Sequence, residues 1–376
     1  ALWFADFNPI SGMEQNSFLF QQAARVGLSH RAVLRTIVEQ ACRRQHVPPP
    51  AWPVAEETEK RQVAVLFGGA SSERQVSLMS GTNVWLKLRQ SAQFAPTPYL
   101  LDLDGRVWRV PYALLLNHTV EEIVAACRSA EADAGRLAGF ERSAQVRLAL
   151  LPDLPTETYF VPTHVSLDEF LQQQPYVFLA LHGGEGEDGT MQTLLAARGI
   201  AFNGSAADAS RLCMDKWLAA QQLTDLAGEG ILVAPKRSLL TQTLASLTRA
   251  QEEALWDDLG RDLQSKHLLV KPQSDGCSSG IVQLTGAHDL SRYLDLLRLR
   301  VPRIPADTFP GQADDVEMPL TTPARLLVEP FIVTDKIRIV GQEVRLHARS
   351  GWVEVTVGIL ERDGQLQALA PSITVA

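Results

Sequence analysis

The chain has 376 residues, 45% of them hydrophobic and 21% charged, with a formal net charge of −8. That length supports two or three compact domains with their own apolar cores, in a composition ordinary for soluble globular proteins. The acidic balance lacks the positive footprint of nucleic-acid binding, and no apolar run approaches a membrane span.

Residues 1 to about 45 open on an apolar strand candidate, residues 1–8, punctuated by Pro9 and Gly12. Ala32, Val33, Leu34, Ile37, Val38 and Ala41 then recur at helical spacing, with Arg43 and Arg44 in the last turn, where the helix dipole favours them. Pro48, Pro49, Pro50 and Pro53 make residues 46–60 a linker. A new unit begins at Gln62. Residues 63–67 and 176–181 read as buried strands, each running into a glycine pair, and a helix is expected from about Val76. Strand, glycine turn and helix in that order predict a parallel α/β sheet. The weakly patterned residues 92–170 read as an insertion on this first subdomain, which is assigned residues 61–205. Beyond it, residues 268–272, 326–330 and 352–358 read as strands with irregular connections, so residues 206–376 are expected to form an antiparallel α+β domain, with 302–324 as a surface loop.

Cys42, Cys127, Cys213 and Cys277 are too scattered for a metal or disulfide framework, which fits a reducing compartment. The chain opens at Ala1 with no leader-like segment, so targeting information is expected upstream if it exists.

Several residues stand out chemically. Gly68 and Gly69 permit a tight turn, and the helix start after them can host a polar ligand. Glu73 falls at that mouth, where parallel sheets bind ligands, and a carboxylate capping the helix is the competing reading. Residues 181–190 hold four glycines and three carboxylates, Glu185, Glu187 and Asp188, and cannot form a core. They read as a functional loop, with His182 as either a substrate contact or a structural histidine. Lys271 closes an apolar strand before the Gly/Ser loop 273–280, a pairing of ammonium and backbone N–H groups that suits phosphate; a lysine snorkelling to solvent is the alternative. No GxxxxGK[ST] loop occurs. Taken alone, Lys216 reads as a solvated charge on a helix, and Glu329 and Glu354 as outward-facing strand positions. Asp6 and Asn8 share one face of a strand, as two oxygen ligands for Mg2+ or as an Asx turn into Pro9.

Taken in order, these pieces resemble the ATP-grasp family and, within it, the D-alanine–D-alanine ligases. Residues 63–80 resemble that family's opening strand and glycine turn, 182–190 its HGxxGEDG element, and 214–216 its MDK helix. Residues 270–280 resemble its VKP…GSSxG loop, 327–331 the adenine hinge, and 353–356 the ribose strand. Residues 4–13 are similar to the metal-binding ExNxxPGM strand from the family's far end, and 23–41 to its closing helix. The chain thus resembles the tail of one ligase unit (1–45), a linker, and most of a second unit, the layout of the fused double ligases of green plants and algae.

The resemblance implies an α/β pre-ATP-grasp subdomain followed by ATP-grasp subdomains, incomplete at the C-terminus. Glu73 would orient the amino group of the first D-alanine, with His182 in support, and Ser17 would contact a substrate carboxylate. Lys216 and Lys271 would neutralise ATP phosphates under a loop formed by Gly276, Cys277 and Ser278. Glu329, Pro330 and Ile332 would meet adenine, Phe331 would pack beside it, and Glu354 would meet ribose. Asp6 and Asn8 would hold Mg2+ or Mn2+. Cys277 stands where the family has serine, a better hydrogen-bond donor, and Asp6 where it has the longer glutamate.

The implied reaction is attack of a D-alanine carboxylate on the ATP γ-phosphate, then capture of the acyl-phosphate by a second D-alanine, as in peptidoglycan precursor synthesis. The implied partners are small molecules and a homodimer or pseudo-dimer of fused units, in the plastid stroma or alternatively the cytoplasm. The chain stops before the family's expected arginine and last metal carboxylates, so this stretch alone is expected to bind nucleotide weakly without turnover. Residues 1–45 are read as docked on the second unit or as a detached, solvated segment. The rival functions are another carboxylate–amine ligase of the same family, with D-serine, D-lactate or an unrelated acceptor, and a nucleotide-binding pseudoenzyme or regulatory half.

Overall fold

An unbroken apolar run makes β1 (Arg61–Gly68), whose last six residues are buried, as expected of a strand covered on both faces. In the computed structural model, which describes residues 13–14, 16–51, 59–133, 135, 139, 159, 161–276 and 278–373, β1 pairs in parallel with β2 (Phe94–Leu101) on one side and β5 (Tyr176–Leu179) on the other. β6 (Ala201–Phe202) continues the parallel set beyond β5. β3 (Arg106–Arg109) and β4 (Thr163–Ser166) add on antiparallel beyond β2, giving the order β4-β3-β2-β1-β5-β6.

Within the expected insertion at 92–170, residues 94–101, 106–109 and 163–166 are instead strands of the sheet itself, supplying half of its six. Pro96 and Pro98 hide β2 from a pattern search. The structure accommodates them because β3 pairs with Tyr99, Leu100 and Leu101, and just beyond them Pro98 needs only its carbonyl, which accepts from the Val110 N–H at 3.1 Å. Helix α3 (Arg74–Leu88) lies on the sheet, with Gly81 against the Phe67 ring so closely that an added Cβ would overlap it.

Helices α1 (Phe18–Arg25) and α2 (His30–Arg44) precede the linker. Ser29 caps α2 by accepting from the Ala32 N–H at 3.2 Å. Phe20, Ala24 and Val33 are buried in one core with Trp85, Tyr112, Leu114, Leu115 and Leu116. The His30 N–H also donates to the Tyr112 hydroxyl at 3.1 Å. These two helices are docked rather than detached. The expected strand at 1–8 lies outside the described residues.

The second sheet is antiparallel, in the order β7-β12-β8-β9, from β7 (Arg237–Leu240), β8 (Leu268–Pro272), β9 (Val282–Leu284) and β12 (Arg325–Pro330). Helices Arg249–Asp262 and Ala287–Arg298 accompany it, tied together by the fully buried Glu252, which accepts from Ser291 Oγ at 2.5 Å and from Arg298 at 2.7 Å. The expected loop at 302–324 carries one short antiparallel pair, β10 (Arg303–Ile304) with β11 (Val316–Glu317). Of residues 352–358, only Val355–Thr356 is a strand, paired with Ser372–Ile373.

The chain divides into two compact units, one of residues 1–231, 273–279 and 318–323, the other of 232–272, 280–317 and 324–376. The division differs from the expected boundary at 205. The helix starting at Lys216 and the loop 273–279 both group with the parallel sheet. Among the described residues no helix is long and apolar enough to cross a membrane.

Candidate functional site

The connection after β1 runs to β2 on one side and the connection after β5 runs to β6 on the other, so the two diverge at neighbouring carboxyl ends. A crevice opens at such a switch point. A cavity of about 410 Å³ lies there, lined by residues 68–72 and 181–186 with Met214, Ser274 and Asp275. The buried Ser77 hydroxyl pins the two glycine turns together, accepting from the Gly68 N–H and donating to the Ala180 carbonyl, both at 2.8 Å.

Glu73 stands at the N-cap position of α3, yet its side chain makes no capping hydrogen bond, which removes the capping reading. It is 8% exposed, and its Oε2 is buried with no hydrogen-bond partner among the described residues. Gly183 and Gly276 enclose this carboxylate so closely that a Cβ on either would overlap it, and Gly183 also has φ +63°. An isolated buried carboxylate oxygen is costly, and an ammonium donor would satisfy it. His182 places Nε2 at 2.9 Å from Ser80 Oγ and Nδ1 at 3.7 Å from Glu187 Oε1, while its carbonyl accepts from Ser71 Oγ at 2.5 Å. Burial, with the Asp188 charge adding to it, pushes the Glu185 carboxyl above its ordinary range.

Lys216 is not a solvated charge. Its Nζ donates to the Asp275 carbonyl at 2.5 Å, and its N–H to the Gln273 carbonyl at 3.1 Å. Asp215 caps the helix Lys216–Thr224, accepting from Trp217 N at 2.9 Å and Leu218 N at 3.0 Å, while its other oxygen accepts from Gln273 Nε2 at 2.8 Å. The 214–216 element and the 273–276 loop are thereby one assembly. Burial raises the Asp275 carboxyl, the nearby Glu73 charge adds to the rise, and the Gly276 N–H and Lys216 oppose it. A second cavity of about 490 Å³ is lined by Lys216, Glu187, Gln192, Asn203, Ser210 and Gly276, among others. Ser278 is exposed with φ 57°, and Cys277 lies outside the described residues.

In the second unit, Glu329 is 8% exposed rather than facing water. One of its oxygens accepts from Lys271 and the other from Lys236, and the two lysine side chains are only 16% and 14% exposed. Burial drives the Glu329 carboxyl up, but the hydrogen bonds and charges of the two lysines outweigh it and hold the group below the usual range. Lys271 is thus an ion-paired, part-buried lysine, not a snorkelling one. Lys236 escaped sequence analysis because its carboxylate partner is 93 residues away, beyond any local spacing; the only signal was a lysine just ahead of a strand, after Pro235. Beyond Pro330, the Phe331 N–H donates to the His267 carbonyl at 2.9 Å, and Ile332 is 57% exposed.

Glu73, Lys216 and Gly276 belong to the first unit, with His182 in the same loop assembly. Lys271 and Glu329 belong to the second. Glu354 is exposed and precedes its short strand instead of lying on it. Ser17 begins α1, its hydroxyl buried and without a hydrogen-bond partner among the described residues. Asp6 and Asn8 fall outside the described residues.

Residues 62–205 match the family described as D-ala D-ala ligase N-terminus. The chain is 33% identical over 243 residues to D-alanine--D-alanine ligase A of Chromobacterium violaceum, covering 63% of this chain and 57% of that protein. It is 29% identical over 312 residues to D-alanine--D-alanine ligase of Corynebacterium aurimucosum, covering 83% of this chain and 67% of that one. The chain spans little more than half the length of most of the curated relatives it matches, 57% and 56% in two cases. The solved structure of the D-alanine-D-alanine ligase from Coxiella burnetii aligns with a TM-score of 0.51 at 21% identity, over 83% of this chain and 70% of that one. That likeness shows the fold: a parallel-containing α/β sheet followed by an antiparallel α+β part, as in ATP-grasp proteins.

Proposed function

We propose, from the match of residues 62–205 to the family described as D-ala D-ala ligase N-terminus, that this chain is part of an ATP-dependent ligase joining two D-alanines. The observation that carries this reading is Glu73: a buried carboxylate with one unpaired oxygen, at the switch point of a parallel sheet, behind two glycines that line the neighbouring cavities. A zwitterionic amino acid supplies the ammonium that this oxygen lacks. Glu73 would orient the first D-alanine by its amine, and His182, held by Ser80, would support the same site.

ATP would supply the phosphoryl group that activates the D-alanine carboxylate, so that the second D-alanine's amine can displace phosphate. Two part-buried ammonium groups on one carboxylate, at Lys236, Lys271 and Glu329, fit a polyphosphate, because the positive charge there exceeds what Glu329 can balance. Lys216 and the 276–278 loop are proposed as phosphate contacts, residues 329–332 as adenine contacts, and Glu354 as a ribose contact. The protein's part is positioning and charge stabilisation in a dry site. Ser17, Asp6 and Asn8 are proposed as contacts to a substrate carboxylate and Mg2+, in a 1–45 segment read as the tail of an upstream unit. The fused layout and a plastid location both rest on that segment's resemblance.

The test is calorimetric or saturation-transfer titration with D-alanine and L-alanine. The expected result is binding of D-alanine, weaker binding of the L form, and loss of ~10-fold or more on Glu73→Gln, the worth of one charge-assisted hydrogen bond. An unaltered D-alanine affinity in Glu73→Gln would refute the assignment.

A further inference from the structure

The antiparallel register explains why three charges meet. Arg237 lies opposite Val328, so Lys236, the residue just ahead of β7, continues that register towards Glu329. Lys271 lies opposite Leu327, two residues from Glu329 and therefore on the same face of the sheet. Each Glu329 oxygen takes one lysine, and all three side chains are largely buried. A structural ion pair needs one cation per carboxylate. A second, part-buried ammonium on the same carboxylate leaves a positive charge without its own counter-ion, in surroundings where that is costly. Such an excess has a use where an anion binds.

We infer that Lys236 is a second polyphosphate-binding ammonium beside Lys271, and that Glu329 is the carboxylate that positions both. This rests on the nucleotide reading above and changes it in one respect. The Glu329 side chain serves the lysines, leaving adenine to the backbone of residues 329–332. Lys236 starts at the edge of its sheet, since β7 has β12 as its one neighbour, so its ammonium reaches the face without crossing another strand. The ligand class is a polyphosphate, whether carried by a nucleotide or free.

The experiment uses the whole chain with ATP, AMP and inorganic tripolyphosphate as probes. Lys236→Met should weaken ATP and tripolyphosphate by ~10-fold or more and AMP much less, while Lys236→Arg restores most of the affinity. On the unaltered chain, tripolyphosphate should protect Lys236 and Lys271 together from acetylation, read by mass spectrometry, which holds even if Lys236→Met fails to fold. If Lys271→Met loses ATP while Lys236→Met binds it normally, or if tripolyphosphate protects Lys271 alone, Lys236 is structural and the inference is overturned. If the unaltered chain binds neither ATP nor tripolyphosphate, the nucleotide reading falls, and this inference with it.

Discussion

Replacing Glu329 by glutamine keeps the shape of the side chain and removes its charge, leaving two lysines that are only 14% and 16% exposed without a counter-ion. Breaking a buried pair from one side costs about 3–5 kcal/mol, most of it the stranded charge rather than the lost bond. Against a typical domain stability of about 5–15 kcal/mol, that is a large fraction. The pH dependence has a definite sign. The folded carboxyl is held below its ordinary range, so the contribution of Glu329 is complete above the unfolded value of about 4.3 and is lost as pH falls through the lower folded value. The difference between wild type and Glu329→Gln should therefore be full at pH 7 and shrink in acid below pH ~4. Hydrogen exchange of peptides from β8 and β12 measures it locally, which avoids assuming that both units unfold together. A penalty below ~0.5 kcal/mol at pH 7, the level of an ordinary surface substitution, would refute the claim that this carboxylate balances two part-buried cations.

Gly276→Ala should push its Cβ into the Glu73 carboxylate and cost about 1–3 kcal/mol with loss of D-alanine binding, whereas Gly228→Ala, with open space around it and an ordinary φ, should be neutral; urea melts and titration distinguish them. Ser77→Ala removes the hydroxyl that serves both Gly68 N and Ala180 O, and should lower the stability of the first unit by about 1–3 kcal/mol in the same melts. Phe20→Ala should cost about 3–5 kcal/mol and release α1 and α2 to proteolysis, since Phe20 is 3% exposed in the core that holds Trp85 and Tyr112. Burial, with Glu131 adding to it, pushes the Cys127 thiol up to about 12. Iodoacetamide at pH 8 should accordingly label the exposed Cys213 and spare Cys127 until the chain unfolds.

How much of this was legible in the sequence depended on the range of the signal. The runs at β1 and β5 announced buried parallel strands because both faces of such strands are apolar, and the glycine pairs after them marked the turns. The helix over His30–Arg44 was readable from its spacing and its terminal arginines. β2 was not readable, since two prolines break its pattern and only the short reach of β3 along it makes them tolerable. Lys216 looked solvated because the Asp275 carbonyl that binds it is 59 residues away. Glu329 looked outward-facing by alternation, and its burial became explicable only once Lys236 and Lys271 were found on its face. Local pattern carried the elements and the glycine turns; pairings across the sheets carried the charges.

The two carboxylates singled out by the structure are opposite cases of one electrostatic problem, and the difference bears on what each can bind. Glu73 is buried with an oxygen that no described donor reaches, in a unit whose neighbouring Asp275 carboxyl is itself raised by burial and by the Glu73 charge. That imbalance is negative and is relieved by a small cation, such as the ammonium of an amino acid. Glu329 is buried with both oxygens taken by ammonium groups, an imbalance that is positive and is relieved by an anion. Neither arrangement is what stability alone would select, because apolar residues of the same volume would avoid both costs. The proposed function, which pairs a zwitterion with a polyphosphate, calls for one of each.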